Sequence, residues 1–301
     1  MGSEQFRPLL GLLKQAARDA GKRILEHYGG DYQVFNKGIG TRTGDVVTQA
    51  DHDAQDIIFN HLDAPHHSQL MADIAVLAEE MTDHAVSERF TKPYTLLIDP
   101  MDGTRGFMDH NNSFGVSIGL IKKDGTPVLG VVFLPALDQF LVGIHQQETQ
   151  VNGVQVRCDR SPESNLTLWL SEAEFFPAER NAVWHLLCRD LKNATAVKKI
   201  APVVVGSPVH KGCNLVTHDG PSLYVGLPRR EKGVSLWDMG AIASIVTGAG
   251  GWVSDIYGNP LELNRADSTF VHHRGFVFAT HPNHGEAIVA SFKTHCGDRL
   301  F

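Results

Sequence analysis

The chain has 301 residues, 42% hydrophobic and 20% charged, which is enough for one large domain or two smaller ones with a real core. Its net charge of -7, without any run of Lys or Arg, argues against nucleic acid or an anionic membrane as the main partner. There is no N-terminal apolar signal and no apolar run of about 18 residues, so the expectation is a cytoplasmic protein that stays out of membranes. Cys158, Cys188, Cys213 and Cys296 are scattered without CxxC spacing and read as reduced thiols.

Pro8 to Tyr28 predicts a helix, with Leu9, Leu13, Ala16, Ala20 and Ile24 at helical spacing and Gly29-Gly30 as the stop. A polar loop, Lys37 to Gly44, leads to Asp45-Val46-Val47-Thr48-Gln49-Ala50-Asp51 and a second helix that buries Ala54, Ile57, Ile58 and Leu62. Asp51 sits where a cap belongs. Asp45 precedes a β-branched run and is harder to explain as a cap. Ile74 to Ala78 reads as a short strand ending in Glu79-Glu80, and Tyr94 to Ile98 as a buried strand ending in Asp99-Pro100-Met101-Asp102-Gly103-Thr104. If these strands are neighbours, Glu79 lies beside Asp99.

Two carboxylates three positions apart at a strand end are costly unless a cation neutralises them, which points to a hard metal with oxygen ligands. Pro100 cannot continue a sheet ladder. Gly103 permits a tight turn, and the amides around Gly103 and Thr104 would attract phosphate if they open a helix. An ordinary acidic turn uses the same residue types.

Phe114 to Ile121 and Val128 to Leu134 read as a hairpin turning at Asp124-Gly125. Phe140 to Ile144 follows, and Asn152-Gly153 opens a second hairpin toward Val154 to Cys158. The first half, residues 1–160, is therefore two helices and a largely antiparallel sheet. The second half, 161–301, alternates strands (Leu166 to Leu170, Pro202 to Val205, Ser222 to Val225, Trp252-Val253, Phe276 to Ala279) with helices (Pro177 to Leu191, His210 to Thr217, Met239 to Thr247, Gly285 to Lys293), with a boundary near Ser161-Pro162. Asp238, after Trp237, stands where a helix cap belongs.

Four separated segments resemble the inositol monophosphatase superfamily of magnesium-dependent, lithium-sensitive phosphatases: Asp45-Val46-Val47-Thr48 with Asp51, Glu79-Glu80, Asp99-Pro100-Met101-Asp102-Gly103-Thr104, and Trp237-Asp238 followed by Ala249-Gly250-Gly251. The resemblance implies an α/β (α+β) fold, a layered αβαβα sandwich of the inositol monophosphatase/fructose-1,6-bisphosphatase type, with the site between its halves. It further implies Glu79, Asp99, Asp102 and Asp238 as ligands of two or three Mg²⁺ ions, assisted by the Met101 carbonyl. Asp45 would be an auxiliary metal or water partner. Thr104 with Glu79 would polarise the attacking water, and Asp102 with the amides of Gly103 and Thr104 would hold the phosphate. Phosphatases of the haloacid dehalogenase type need DxD spacing and are set aside, because Asp99 and Asp102 are three apart.

Within the superfamily, Asp45 to Gln55, Asn112 to Ile121, Gly130 to Pro135 and Asp255 to Leu261 are similar to the 3'(2'),5'-bisphosphate nucleotidase branch. That similarity implies removal of the 3'-phosphate of adenosine 3',5'-bisphosphate, with Lys211 near the position of a lysine in that branch. The second phosphate needs its own cationic partner, and Lys211, Arg229, Arg230 and Lys232, in the segment preceding Trp237-Asp238, are the candidates. Ser171-Glu172-Ala173-Glu174 replaces the branch's Ser-x-Ser-His element, and two carboxylates there are expected to repel that phosphate. Inositol 1-phosphate or a similar polyol phosphate is the alternative substrate, and a non-catalytic metal- or phosphate-binding regulator is the alternative of another class. The expected partner is a small phosphate ester, with the protein a monomer or homodimer.

Overall fold

Residues 3–36, 46–81, 87–158, 164–175, 177–230 and 233–301 are described by the computed structural model. The polar loop ending at Gly44, Asp45, the expected boundary at Ser161-Pro162 and Lys232 lie outside them.

α1 (Arg7–His27) buries a stripe from Leu9 through Leu13, Ala16 and Ala20 to Ile24, the spacing that predicts it. A short β1 (Val34–Asn36) and β2 (Val46–Thr48) pair antiparallel and lead into α2 (Gln49–Leu62). After α3 (Ser68–Met71), the chain builds a seven-stranded sheet. Its strands are β3 (Ile74–Ala78), β4 (Tyr94–Asp102), β5 (Gly115–Lys122), β6 (Pro127–Leu134), β7 (Gln139–Ile144), β8 (Glu148–Val151) and β9 (Val154–Val156), in spatial order 3-4-5-6-7-8-9, with α4 (Thr104–Met108) between β4 and β5. Only the β3–β4 pair is parallel.

The second half adds β10 (Ser164–Leu170), α5 (Glu172–Phe175), α6 (Ala178–Ala194), β11 (Val197–Val204), α7 (Pro208–Thr217), β12 (Ser222–Gly226), α8 (Leu236–Gly248), β13 (Trp252–Ser254), β14 (Phe276–Ala279) and α9 (Pro282–His295). Its five strands run in the order β11-β10-β12-β14-β13. α1 and α2 pack together on the outer face of the larger sheet, α7 and α8 lie between the sheets, and α6 and α9 cover the far face of the smaller one. This is the layered αβαβα sandwich.

α8 is apolar on all sides because it is buried on all sides. It approaches the larger sheet over a row of glycines. Gly119, Gly130 and Gly143 are register partners across β5, β6 and β7. A Cβ at these positions would lie 2.5 Å from the Ala241 nitrogen, 2.3 Å from the Ala241 oxygen and 2.4 Å from the Ile245 Cα. The helix backbone therefore rests directly on the strand backbones.

β4 departs from the expected strand end. It continues through Pro100 to Asp102 because the ladder with β5 accommodates a bulge: Asp99 pairs with Ser117 and Asp102 with Gly115, so Pro100 and Met101 face Val116 alone. A bulge is where proline's missing N–H is tolerated. β11 is also longer than its sequence indicates. It starts at Val197, includes Lys198 and Lys199, and holds Pro202 because it is an edge strand.

Candidate metal centre

The bulge creates the site. Residues three apart on a regular strand face opposite sides. The extra residue between Asp99 and Asp102 restores both carboxylates to one side, while the Met101 amide donates to Asp99 Oδ1 at 3.0 Å. β3 runs parallel to β4 with Ala78 opposite Ile98, and the Glu79 amide donates to the Ile98 carbonyl at 3.1 Å, so Glu79 reaches the same strand end. Asp238 comes from across the sandwich as the third residue of α8, where it closes a capping box with Ser235 (Ser235 N to Asp238 Oδ2, 2.7 Å). Carboxylate oxygens of Asp99, Asp102 and Asp238 lie within 4.8 Å of one another, and all three residues are buried. An all-oxygen, buried, polyanionic set fits a hard divalent cation.

Asp102 is oriented by α7. The Ser207 hydroxyl and the Val209 amide (2.9 Å) both donate to its Oδ2. Lys211 is buried, and its Nζ donates to the carbonyls of Val205 and Gly206 at 2.8 Å each, fastening the turn that carries Ser207. Gly103, at φ 86°, faces this turn, and a Cβ there would lie 2.2 Å from the Ser113 carbonyl, so no other residue fits without distortion. Ser113 Oγ and His210 Nδ1 are 3.0 Å apart, tying the loop after α4 to α7.

Thr104 opens α4 and donates its hydroxyl to Asp51 Oδ1 at 2.9 Å, with the Met101 carbonyl at 3.3 Å as a second acceptor. Asp51 uses its other oxygen for the cap of α2, accepting from the Thr48 amide and hydroxyl at 2.7 Å each. The cap residue is thus Thr48, with Asp51 closing the box from inside the helix. Asp51 is a candidate site residue to which the sequence reading gave no role beyond a cap. Its signal was present in the Asp-x-x-x-x-x-Asp spacing from Asp45, but a cap explained it too easily.

Electrostatics match the crowding. Burial, then repulsion from Glu79, Asp102 and Asp238, pushes the Asp99 carboxyl well above the usual carboxylate range. Asp238 is raised well above it by burial, then by Asp102 and Glu79. Asp102 rises only to about 6 because Ser207, Val209 and Lys211 oppose its burial. Burial raises Asp51 to about 7 against the bonds from Thr48 and Thr104. Burial lowers Lys211 to about 8, against the pull of Asp102 and Asp238.

A pH effect follows. Carboxyls raised in the folded state keep protons that the unfolded chain releases near pH 4, so their stabilising contribution is lost as pH climbs through the raised values. Burial holds His210 and His284 neutral down to about pH 4, which opposes this trend only below about pH 6.5. Between about pH 6.5 and 8, the metal-free protein should lose melting temperature by a few degrees, at roughly 2–4 °C per kcal/mol. Saturating divalent cation at pH 8 should recover it, because the cation takes the protons' place. Scanning calorimetry in chelator and in cation checks this, and a flat chelator profile would contradict it.

Among the remaining expected site residues, Met101 is buried with its carbonyl at the Thr104 hydroxyl, and Arg230 is exposed with its amide donating to the Phe301 carbonyl at 3.0 Å. Arg229 is half-buried and paired with Glu174. Glu174 is buried against Arg180 and Arg229, whereas Glu172 is exposed. Among the described residues no helix is long and apolar enough to cross a membrane.

Residues 6–296 match the model of the inositol monophosphatase family. Similar curated proteins include inositol monophosphatase 3 of Solanum lycopersicum, 30% identical over 86% of this chain and 89% of that one. Human inositol monophosphatase 2 is 27% identical over 83% and 81%. Among solved structures, the extragenic suppressor protein SuhB of Bartonella henselae superposes with a TM-score of 0.68 at 22% identity, covering 96% of this chain and 99% of that one. A 2'-AMP-bound SaIMPase-II superposes with a TM-score of 0.69 at 18% identity, covering 97% and 96%.

Proposed function

The chain belongs to the inositol monophosphatase family of metal-dependent phosphatases, and we propose that it is a Mg²⁺-dependent phosphomonoesterase whose substrate is a nucleotide carrying a second phosphate, adenosine 3',5'-bisphosphate. The buried, convergent carboxylates of Asp99, Asp102 and Asp238 carry the catalytic part of this reading. With Glu79 and the Met101 carbonyl they would hold the cation, and Asp45 is retained as an auxiliary partner. When bound, Mg²⁺ supplies Lewis acidity to the phosphoryl oxygens, the attacking water and the leaving oxygen.

The chain's own groups do the rest. Thr104 gives its hydroxyl proton to the hydrogen bond with Asp51, which leaves its oxygen lone pairs free to accept from the attacking water. Asp51, near 7, can take up the proton as the water's oxygen bonds to phosphorus and the ester P–O bond breaks, the leaving oxygen taking its proton from solvent. Glu79 flanks the same water. The amides of Gly103 and Thr104 open α4, where first-turn N–H groups have no intrahelical acceptor, and are assigned to the phosphate alongside Asp102. Ser207 and Val209 orient Asp102, which would hold the cation, and Lys211 fastens the turn that carries them.

On the substrate, the pairing of Glu174 with two arginines supports the nucleotide reading, because it removes the repulsion expected from that carboxylate. The 2'-AMP bound to SaIMPase-II is a family precedent for a nucleotide. The names of the curated relatives favour inositol 1-phosphate as the second reading. Under identical Mg²⁺, adenosine 3',5'-bisphosphate should exceed inositol 1-phosphate in kcat/KM by at least about tenfold, or roughly 1.4 kcal/mol. Equal values, or a preference for inositol 1-phosphate, would promote the second reading. We assign the protein to the cytoplasm, as a monomer or homodimer.

A further inference from the structure

A second ionic system adjoins the metal centre. Glu174 is 2% exposed. Its Oε1 accepts from Arg229 Nη2 and from Arg180 Nη1 at 3.5 Å, and its backbone carbonyl accepts from Trp184 Nε1 at 3.1 Å. Its Oε2 is enclosed and has no partner among the described residues. A carboxylate this buried is strongly unfavourable unless cations compensate it. Two guanidiniums contact Glu174, and the Lys211 ammonium shares its field.

Tyr224 and Lys211 stand between the Glu174–Arg229 pair and the candidate metal carboxylates in their electrostatics. The Lys211 ammonium lies 5.4 Å from the Tyr224 ring centroid. The Tyr224 phenol is influenced by Asp238 and Asp102 as well as by Glu174 and Arg229. Arg229 itself is held at both ends: its amide donates to the His272 carbonyl at 2.9 Å and its guanidinium pairs with Glu174. Gly233 leaves room beside the stem between them, since a Cβ there would lie 3.1 Å from Arg229 Cδ. A guanidinium has five N–H donors, and the single oxygen of Glu174 cannot occupy them all. Fixing such a side chain beforehand removes the cost of ordering it when an anion arrives.

We infer that Glu174 is a positioning residue that holds Arg229 as a preformed donor for an anionic group of the substrate beyond the reach of the metals. This rests on the nucleotide-bisphosphate reading above. Glu174 then aids the second phosphate that its sequence neighbourhood had seemed to repel.

The test compares adenosine 3',5'-bisphosphate with 3'-AMP, which presents the same reacting ester without the second phosphate. Their kcat/KM ratio cancels damage common to both substrates. The wild-type ratio should be at least tenfold. Glu174→Gln and Arg229→Ala should each bring it close to one, chiefly through the KM of the bisphosphate, and the double variant should be no worse than Arg229→Ala. Should Glu174→Gln not fold, Gly233→Ala, which presses on the Arg229 side chain, should lower the ratio by the same route. An intact ratio in Glu174→Gln, or additive losses in the double variant, would overturn the positioning role alone. A wild-type ratio near one would remove the substrate reading, and this inference with it.

Discussion

Asp99→Asn should abolish phosphate release and at the same time raise the melting temperature of the metal-free protein. Asn keeps the shape and can still accept from the Met101 amide, so the fold is retained. At about pH 8 it removes a carboxyl that must either hold a proton the unfolded chain would release or ionise beside Asp102, Asp238 and Glu79. Turnover should fall at least about a thousandfold, or roughly 4 kcal/mol of barrier. The chelated variant should melt higher than the chelated wild type, because the repulsion opposes folding when no cation offsets it. Saturating Mg²⁺ should then narrow or reverse the difference, since the variant binds it less well. Opposite movement of activity and stability marks a functional cluster. A parallel loss would assign Asp99 to the fold instead.

Thr104→Ala should lower kcat by about 10²–10⁴-fold, the usual range for a positioned proton acceptor, and change KM much less. Asp51→Asn should act similarly, because it accepts from the Thr104 hydroxyl. The two losses should not multiply in the double variant, since either change breaks the same relay. Thr104→Ser should restore most of the rate. A phosphothreonine trapped at residue 104 during turnover would replace this relay with a covalent route. Asp51 also caps α2, so its variant needs a melting curve beside the kinetics, whereas Thr104 makes no such bond.

The hairpin turns and six of the seven strands of the larger sheet were legible because Asp124-Gly125 and Asn152-Gly153 mark turns beside short apolar or alternating runs. β4 was legible only to Ile98. Reading Pro100 as a stop neglects that a bulge removes the need for its N–H, and that bulge is what turns Asp99 and Asp102 to one side. β8, with Glu148, Thr149 and Gln150, has too few apolar residues to announce itself. At the site, the candidate ligand carboxylates stand in short contiguous motifs and could be read locally. Their supports could not. Ser207 and Val209 reach Asp102 from more than a hundred residues away, and Arg229 reaches Glu174 across 55. Charge in a sequence has a sign but no address. Glu174 was read as repulsive because Arg229 is remote in the chain, and nothing in the sequence says that Arg180, six residues on, turns back to it.

The glycine row beneath α8 has a consequence for how this enzyme tolerates change. Asp238 rides on that helix, and the helix stands on bare strand backbone at Gly119, Gly130 and Gly143. Over β5, β6 and β7 the height of that helix is therefore set by main-chain thickness, while beside Asp238 it meets β4 through the Leu97 side chain, where a Cβ on Gly240 would lie 2.8 Å from Leu97 Cδ1. The three glycines have no room for a side chain, although none is itself a candidate ligand. In a survey of inactivating variants they would form a line across the sheet interior, and judged by burial alone they would be misfiled as defects of folding rather than of the height of the helix that carries Asp238.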